Sequence, residues 1–343
     1  MRLLQAMAGG AHGGAEAFFE RLVIAFAKLQ LDQRVVIRKD AARRSRLTAG
    51  GVDVVEFAFG GRLDLATGRA FVREIEAYDP DVVLTWMNRA TRFCPRRRGR
   101  RFVHVARLGG YYNLKYYHRC DHLVANTKDI VRYLIDQGWP ESRAHYLPNF
   151  VDAYPLSPEP RAEHETPDDA TLLLALGRLH ENKAFDVLLD ALVRLPDTWL
   201  WIAGEGPLRG ELAAQGARLG ITERVRFLGW RDDTGALLAA ADILVCPSRH
   251  EPLGNVVIEG WAHGVPVVAA KSAGPAALIR DGETGLLVPI DDVEALANAL
   301  TRVQGDTDLR DALAGAGRGA FDRDFTEQAV VAAYRAFFDE VAG

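Results

Sequence analysis

Short, almost uninterrupted apolar runs recur along this chain, each followed by a longer amphipathic stretch, and that alternation limits the fold more than any other feature. In the second half the runs occupy 171–176, 198–203, 225–228, 243–246, 266–269 and 285–288. In the first half they occupy 2–7, 34–37, 52–57, 81–86, 102–106, 122–125 and 145–147. A strand with one wet face alternates apolar and polar residues. A strand covered on both faces does not, and parallel strands lying between helices are covered on both. The intervening stretches read as helices, among them 13–30, 65–78, 128–137, 184–195, 208–219, 235–241, 255–263 and 293–303. In the first of these, Phe18, Leu22, Val23, Phe26 and Leu29 fall at helical spacing. The pattern predicts an α/β protein of two doubly wound, Rossmann-like domains. A length of 343 residues suits two domains better than one. Pro148, Pro155, Pro158, Pro160 and Pro167 interrupt the pattern. The expected division is therefore 1–150, a linker at 151–169, and 170–323. A last helix at 326–341 carries Val330, Val331, Tyr334, Phe337 and Phe338 on one stripe.

Composition excludes several classes. Apolar residues make up 48% and charged residues 26%, as in water-soluble globular proteins. No apolar run approaches the length that spans a bilayer, and the opening segment reads as a first strand rather than a signal peptide. Cys94, Cys120 and Cys246 are far apart and lack CxxC spacing. That argues against a disulfide framework or a zinc site and suits a reducing, cytoplasmic compartment. The net charge of −4 conceals a split: residues 1–150 carry 25 Lys and Arg against 15 Asp and Glu, and the remainder carries 17 against 31. Arg92, Arg96, Arg97, Arg98, Arg100 and Arg101 crowd one segment, and Arg43, Arg44 and Arg46 another. Such fields draw anionic surfaces, and the expected one is the inner face of the cytoplasmic membrane. No nucleic-acid-binding motif accompanies them, so nucleic acid is not an expected partner.

The densest chemistry lies at 248–268. A turn containing Pro252 and Gly254 follows the run at 243–246, and a helix begins near Asn255. Glu251 lies at the helix N-terminus and Glu259 about one turn into the helix. Free backbone N–H groups and the positive end of the helix dipole suit an anion there. Two carboxylates beside it hold sugar hydroxyls by charge-assisted hydrogen bonds. The arrangement suits a sugar phosphate.

Glu251 and Glu259, seven residues between them, resemble the E-x7-E signature of retaining glycosyltransferases of the GT-B fold, in the large glycogen-synthase-like family 4. Leu176-Gly177-Arg178-Leu179 with Glu181-Asn182-Lys183 resembles the family's phosphate-binding element, and Gly204-Glu205-Gly206-Pro207 its Gly-Pro turn. The resemblance runs through 171–290. It touches the first half at Gly13-Gly14-Ala15-Glu16, Asn126-Thr127 and residues 148–152.

The resemblance implies two Rossmann-like domains facing a cleft. The nucleotide sugar would lie mostly on the second domain and the acceptor on the first, with 325–343 packing back on the first. It implies transfer of a hexose-type sugar, with retention, from a UDP- or GDP-linked donor to a glycan or lipid-linked acceptor. The stretch Ser272-Ala273-Gly274-Pro275 resembles bacterial lipopolysaccharide glycosyltransferases. Carried over by motif position, Arg178 and Lys183 neutralise the diphosphate as the glycosidic bond breaks. Glu251 holds the donor sugar, Glu259 the ribose, and Gly13, Gly14, Gly254 and Asn255 approach the diphosphate. No metal and no cofactor are expected, because two cations and a helix N-terminus take the ion's place. Retention ordinarily calls for a carboxylate nucleophile. The family instead implies front-face attack, with the leaving phosphate taking the acceptor's proton and Glu251 acting in positioning. The histidine that faces the donor in the family has two counterparts here, His104 and Arg107. Tyr111, Tyr112, Tyr116 and Tyr117 either line an acceptor sugar or pack in the core. The competing readings are a nucleotide-sugar epimerase of the same architecture and an idle GT-B binding protein; the Glu pair with its Arg and Lys speaks against both.

Overall fold

The computed structural model describes residues 1–10, 13–61, 64–95, 102–151, 153 and 156–343. The chain divides into two units, Met1–Phe150 with Glu327–Gly343, and Val151–Thr326. Five of the clustered arginines, Arg96, Arg97, Arg98, Arg100 and Arg101, lie outside the described residues. No described helix is long and apolar enough to cross a membrane.

The first unit alternates β1 (Leu3–Met7), α1 (Gly14–Lys28), β2 (Gln33–Arg38), α2 (Ala41–Ala49), β3 (Val54–Phe57), α3 (Leu65–Tyr78), β4 (Val82–Trp86), α4 (Met87–Phe93), β5 (Val103–Leu108), β6 (His122–Ala125), α5 (Lys128–Asp136) and β7 (Ala144–Tyr146). Its seven strands form one sheet in the order β3-β2-β1-β4-β5-β6-β7, every pairing parallel. β1 and β4 are buried at every position, which is why the sequence shows no alternation there. Side-chain caps set the helix starts: Asp64 accepts from Thr67 N ahead of α3, and Thr127 from Ile130 N ahead of α5.

The second unit continues with β8 (Thr171–Leu176), α6 (Phe185–Leu192), β9 (Thr198–Ala203), α7 (Arg209–Arg218), β10 (Val225–Gly229), α8 (Thr234–Ala240), β11 (Ile243–Cys246), α9 (Asn255–Ala262), β12 (Val267–Ala270), α10 (Ala273–Leu278), β13 (Leu286–Val288), α11 (Val293–Gly305) and α12 (Thr307–Asp324). Its six-stranded sheet has the order β10-β9-β8-β11-β12-β13, also parallel. The strand order reverses between β1 and β4 in one sheet and between β8 and β11 in the other. Ligands of such sheets bind at the carboxyl ends beside that reversal.

The last helix, α13 (Glu327–Ala342), belongs to the first unit. Val330, Val331, Tyr334, Phe337 and Phe338 join the core that α1 builds with Phe18, Phe19, Leu22, Val23 and Phe26. Burying each such side chain contributes about 1.5–3 kcal/mol, enough to hold a 16-residue helix in place. Phe337 also packs on the rings of His122 and His145, whose Nδ1 and Nε2 atoms lie 3.0 Å apart. One ring must donate and the other accept, so the contact fails when both are protonated. Burial first, and then the His122 ring, hold His145 below the usual histidine range, with Glu340 acting in the opposite direction. A depressed pKa on a base means the unfolded chain takes the proton first. The stabilisation is therefore full above about pH 6.5 and is lost as pH falls through the lower native value. Denaturant unfolding at about pH 7.5 and about pH 5 should show this loss for the wild type and a smaller one for His145→Asn.

One expected feature changes character. Arg43, Arg44 and Arg46 do not form an open basic field. Arg43 is fully buried, pairing with Glu20 at 2.9 Å and donating to the Gly10 carbonyl at 2.7 Å. Arg46 also takes Glu20, and Arg44 takes Glu56. The partners come from α1 and β3, 12 to 26 positions away, so the fold pairs the run of like charges.

Candidate functional site

At the reversal in the second sheet, β8 is followed by the loop through Lys183 and β11 by the loop through Gly254. Three glycines make the first loop possible. Gly177 has φ +144°, and a Cβ there would lie 2.9 Å from Lys183 Cε. Gly204, at φ +150°, would carry a Cβ 1.9 Å from the Gly177 carbonyl, while its own N–H donates to Gly229 O at 2.7 Å. The ends of β8, β9 and β10 are thus packed backbone against backbone, and the Lys183 stem lies across Gly177.

The Lys183 ammonium donates to Glu251 Oε2, and the other carboxylate oxygen accepts the Gly254 N–H at 3.3 Å. The Lys183 and Glu251 side chains are 20% and 11% exposed, so the charges are sheltered and still reachable. Gly254 caps α9 in the left-handed region, φ +72°, where a Cβ would lie 2.7 Å from Leu278 Cδ1. Asn255 and Glu259 are half-buried on the first turns of that helix, and Arg178 is exposed on the loop after β8. The two loops are tied together. Arg249 binds Asp186 at 2.6 Å and the Glu181 carbonyl at 2.9 Å, and His250 N donates to Asn182 O at 3.1 Å. Lys183, Glu251 and Gly254, up to 71 positions apart, therefore meet at one sheet end, with Arg178, Asn255 and Glu259 on the same loops and helix. The sequence reading gave no role to Arg249 or to Ser272, whose hydroxyl is buried without a hydrogen-bond partner among the described residues. Arg249 follows Ser248 directly, but its partner Asp186 is 63 positions away.

Chemically this is a site for an anion bearing hydroxyls. An incoming diphosphate would draw Lys183 from Glu251 and free that carboxylate for hydroxyl groups. Among the described residues no cluster of three or more His, Cys, Asp or Glu side chains is placed to hold a metal ion.

His104 and Arg107 lie on β5 of the first unit. His104 is 2% exposed inside β5, with Nε2 3.0 Å from the Thr85 hydroxyl and its backbone N–H donating to Asp121. Arg107 is 1% exposed; it donates to the Tyr334 hydroxyl at 2.7 Å and to Asn149 Oδ1, and lies 4.6 Å from the ring centroids of both Phe18 and Trp86. Both side chains are buried in the first unit. Tyr117 is buried there, its hydroxyl on Asn88, whereas Tyr111 is exposed and bonds Asp129. A Cβ at Gly13 would lie 2.3 Å from a carboxylate oxygen of Glu16.

Residues 12–154 match the sequence model of Glycosyltransferase Family 4, and residues 170–306 that of Glycosyl transferases group 1. The lipopolysaccharide core biosynthesis glycosyltransferase LpsE of Rhizobium meliloti (strain 1021) is 38% identical over 328 residues, 95% of each chain. LpsD of the same strain is 35% identical over 334 residues, 96% of each. The chain belongs to this glycosyltransferase family. Among solved structures, Anabaena HepE in complex with UDP superimposes with a TM-score of 0.85 at 21% identity, over 99% of this chain and 100% of that one. The likeness establishes the GT-B fold, with two Rossmann-like domains, for this glycosyltransferase. Its two sheet reversals are then where substrates are to be sought, and the one in the second unit carries the reachable cation and carboxylate pair.

Proposed function

We propose that this glycosyltransferase moves a hexose, with retention and without a metal ion, from a UDP- or GDP-linked donor to a saccharide of lipopolysaccharide core. The observation that carries the reading is the Lys183–Glu251–Gly254 arrangement at the end of β8 and β11. Arg178 and Lys183 take the diphosphate, Glu251 the donor sugar, Glu259 the ribose, and Gly254 and Asn255 present the helix N-terminus to phosphate oxygen. The leaving phosphate accepts the acceptor's proton. Support for the acceptor class comes from LpsE and LpsD, whose names state lipopolysaccharide core biosynthesis. Support for a uridine donor comes from HepE, solved with UDP and with UDP-glucose.

Attachment to the inner face of the cytoplasmic membrane belongs to the same reading. In the first unit an open cavity of about 1570 Å³ is lined by Arg69, Arg73, Arg92, Lys115 and Arg119, with Leu65 and Val72 exposed beside them. Basic and apolar groups on one face suit anionic headgroups, each cation contributing about 1 kcal/mol.

Incubation with UDP-, GDP- and ADP-sugars and a truncated core oligosaccharide, with and without EDTA, tests the reaction; the anomeric configuration is read by NMR. Activity abolished by EDTA and restored by magnesium, or an inverted product, would overturn the corresponding part. Calorimetry separates the two acids. Glu259→Ala should weaken UDP or GDP binding about tenfold or more, one charged hydrogen bond's worth. Glu251→Ala should leave that binding nearly intact and damage transfer. Equal losses would sink the assignment.

A further inference from the structure

The cavity in the first unit differs from a flat basic face in its size and in the kind of cation it gathers. Its volume of about 1570 Å³ exceeds the roughly 300–1,000 Å³ of sites for drug-sized ligands. Three elements supply the cations: Arg69 and Arg73 on α3, Arg92 near the end of α4, and Lys115 and Arg119 on the stretch between β5 and β6. None of the five forms an ion pair with a described carboxylate. Arg34, Arg43, Arg44 and Arg46 in the same unit each do. The one acid among the described lining residues, Asp64, is occupied otherwise. It accepts the Thr67 N–H at 2.9 Å, the Thr67 hydroxyl at 2.6 Å and the Gly60 N–H at 2.7 Å. The positive charge facing this space is therefore uncompensated among the described residues.

One wall is shaped by α3. Leu65, Arg69, Val72 and Arg73 fall at i, i+4, i+7 and i+8 and share a helix face, with Phe71 and Ile75 buried on the other. Gly68 also lines the cavity, and a Cβ there would meet nothing within 4 Å. Packing does not require that glycine; its effect is to leave the wall recessed. Leu65 is 69% exposed and Val72 37%, so apolar surface stands among the cations. On the other walls the Arg92 guanidinium lies 5.5 Å from the Phe93 ring centroid, and the Lys115 ammonium 5.0 Å from that of Tyr116. The rings steady both cations and leave their N–H groups unspent.

Four of the five cations are arginines. A guanidinium grips a phosphate through two parallel N–H···O bonds, which an ammonium does not. A phosphomonoester presents three acceptor oxygens and close to two negative charges. The phosphodiester of a common anionic lipid carries a single charge and fewer free oxygens, too little for five cations around one space. Leu65 and Val72 favour a ligand that brings hydrocarbon with it over a free anion. We propose that this cavity binds one lipid headgroup carrying two or more phosphomonoesters, held by Arg69, Arg73, Arg92 and Arg119. Attachment is then stoichiometric and phosphate-selective, to a particular lipid and not to anionic membrane at large. This rests on the reading that brings the protein to a membrane face.

The test is sedimentation of the full chain with phosphatidylcholine vesicles carrying either phosphatidylglycerol or phosphatidylinositol bisphosphate, matched in total charge. The wild type should bind the bisphosphate vesicles about tenfold or more tightly, because bidentate pairs are added at equal charge. Combining Arg69→Lys, Arg73→Lys, Arg92→Lys and Arg119→Lys keeps the net charge. The preference should then shrink to within about twofold, while binding to phosphatidylglycerol persists. All four positions are exposed, and an unchanged unfolding midpoint confirms that the variant folds. Leu65→Ser with Val72→Ser should weaken binding to the bisphosphate vesicles and leave calorimetric binding of inorganic triphosphate unchanged. Triphosphate bound as tightly as the bisphosphate vesicles, with this pair of changes weakening neither, would mark a site for a soluble anion and overturn the lipid assignment. Equal binding of the wild type to both charge-matched vesicles overturns the proposal and leaves the membrane reading standing. Binding to neither vesicle overturns the membrane reading itself, and the proposal with it.

Discussion

Lys183→Ala lowers turnover by about 100- to 1000-fold, the usual cost of removing one group that stabilises charge developing in a transition state. The ammonium is fixed from two sides. Its stem lies on Gly177, where no side chain fits, and its head is held by Glu251. When the glycosidic bond breaks, negative charge grows on the departing diphosphate, and an ammonium that the bound diphosphate has already drawn from Glu251 meets it without further reorganisation. The loss therefore falls on kcat more than on nucleotide affinity. Lys183→Arg should not restore the rate, because a planar guanidinium does not fit where a slender stem crosses a glycine. Arg178→Ala is expected to act in the same direction. Steady-state kinetics on folded variants decide the matter, and wild-type turnover in Lys183→Ala would refute the role.

That Lys183 and Glu251 meet at one end of a sheet was legible in the sequence. Each follows an apolar run, and in a doubly wound sheet the loops after two such runs share one end. The fold class was legible for the same reason. Runs such as Ile243–Cys246, buried at all four positions, leave no alternative to a strand covered on both faces. The helix α12 was not. Its buried face is Leu313, Gly317, Ala320 and Phe321, too small-sided to show a stripe. It forms because Gly317 lets the backbone approach Trp261, whose ring would lie 2.4 Å from a Cβ there. Small residues conceal a close contact that large ones would advertise.

Charged residues were the less readable part. A sequence shows that Arg43, His104, Arg107 and Glu16 are polar, and not what closes over them. For Arg107 the covering comes from α13, more than 200 positions later, and for Arg43 the compensation comes from Glu20 on α1. Glu16 was visible inside Gly13-Gly14-Ala15-Glu16, but only the folded loop shows its carboxylate filling the glycines' space.

Arg107→Ala discriminates between a residue that touches substrate and one that holds the fold. The guanidinium is 1% exposed, lies between Phe18 and Trp86, and ties β5 to α13 through Tyr334 and to the end of the first segment through Asn149. Truncation leaves the Tyr334 hydroxyl and the Asn149 carbonyl unpaired in the interior, at about 1–3 kcal/mol each. It also removes a desolvated cation from two rings, worth up to about 2 kcal/mol. Relief of the buried charge offsets part of this, so the net loss should be about 3 kcal/mol. In a unit of this size that lowers Tm by roughly 6–12 °C. Amide protection in α13 should fall with it, since the helix loses the Tyr334 tie to β5. Hydrogen exchange across α13 and thermal unfolding measure both effects. Unchanged stability and protection together with lost transfer would mean that Arg107 reaches substrate after all.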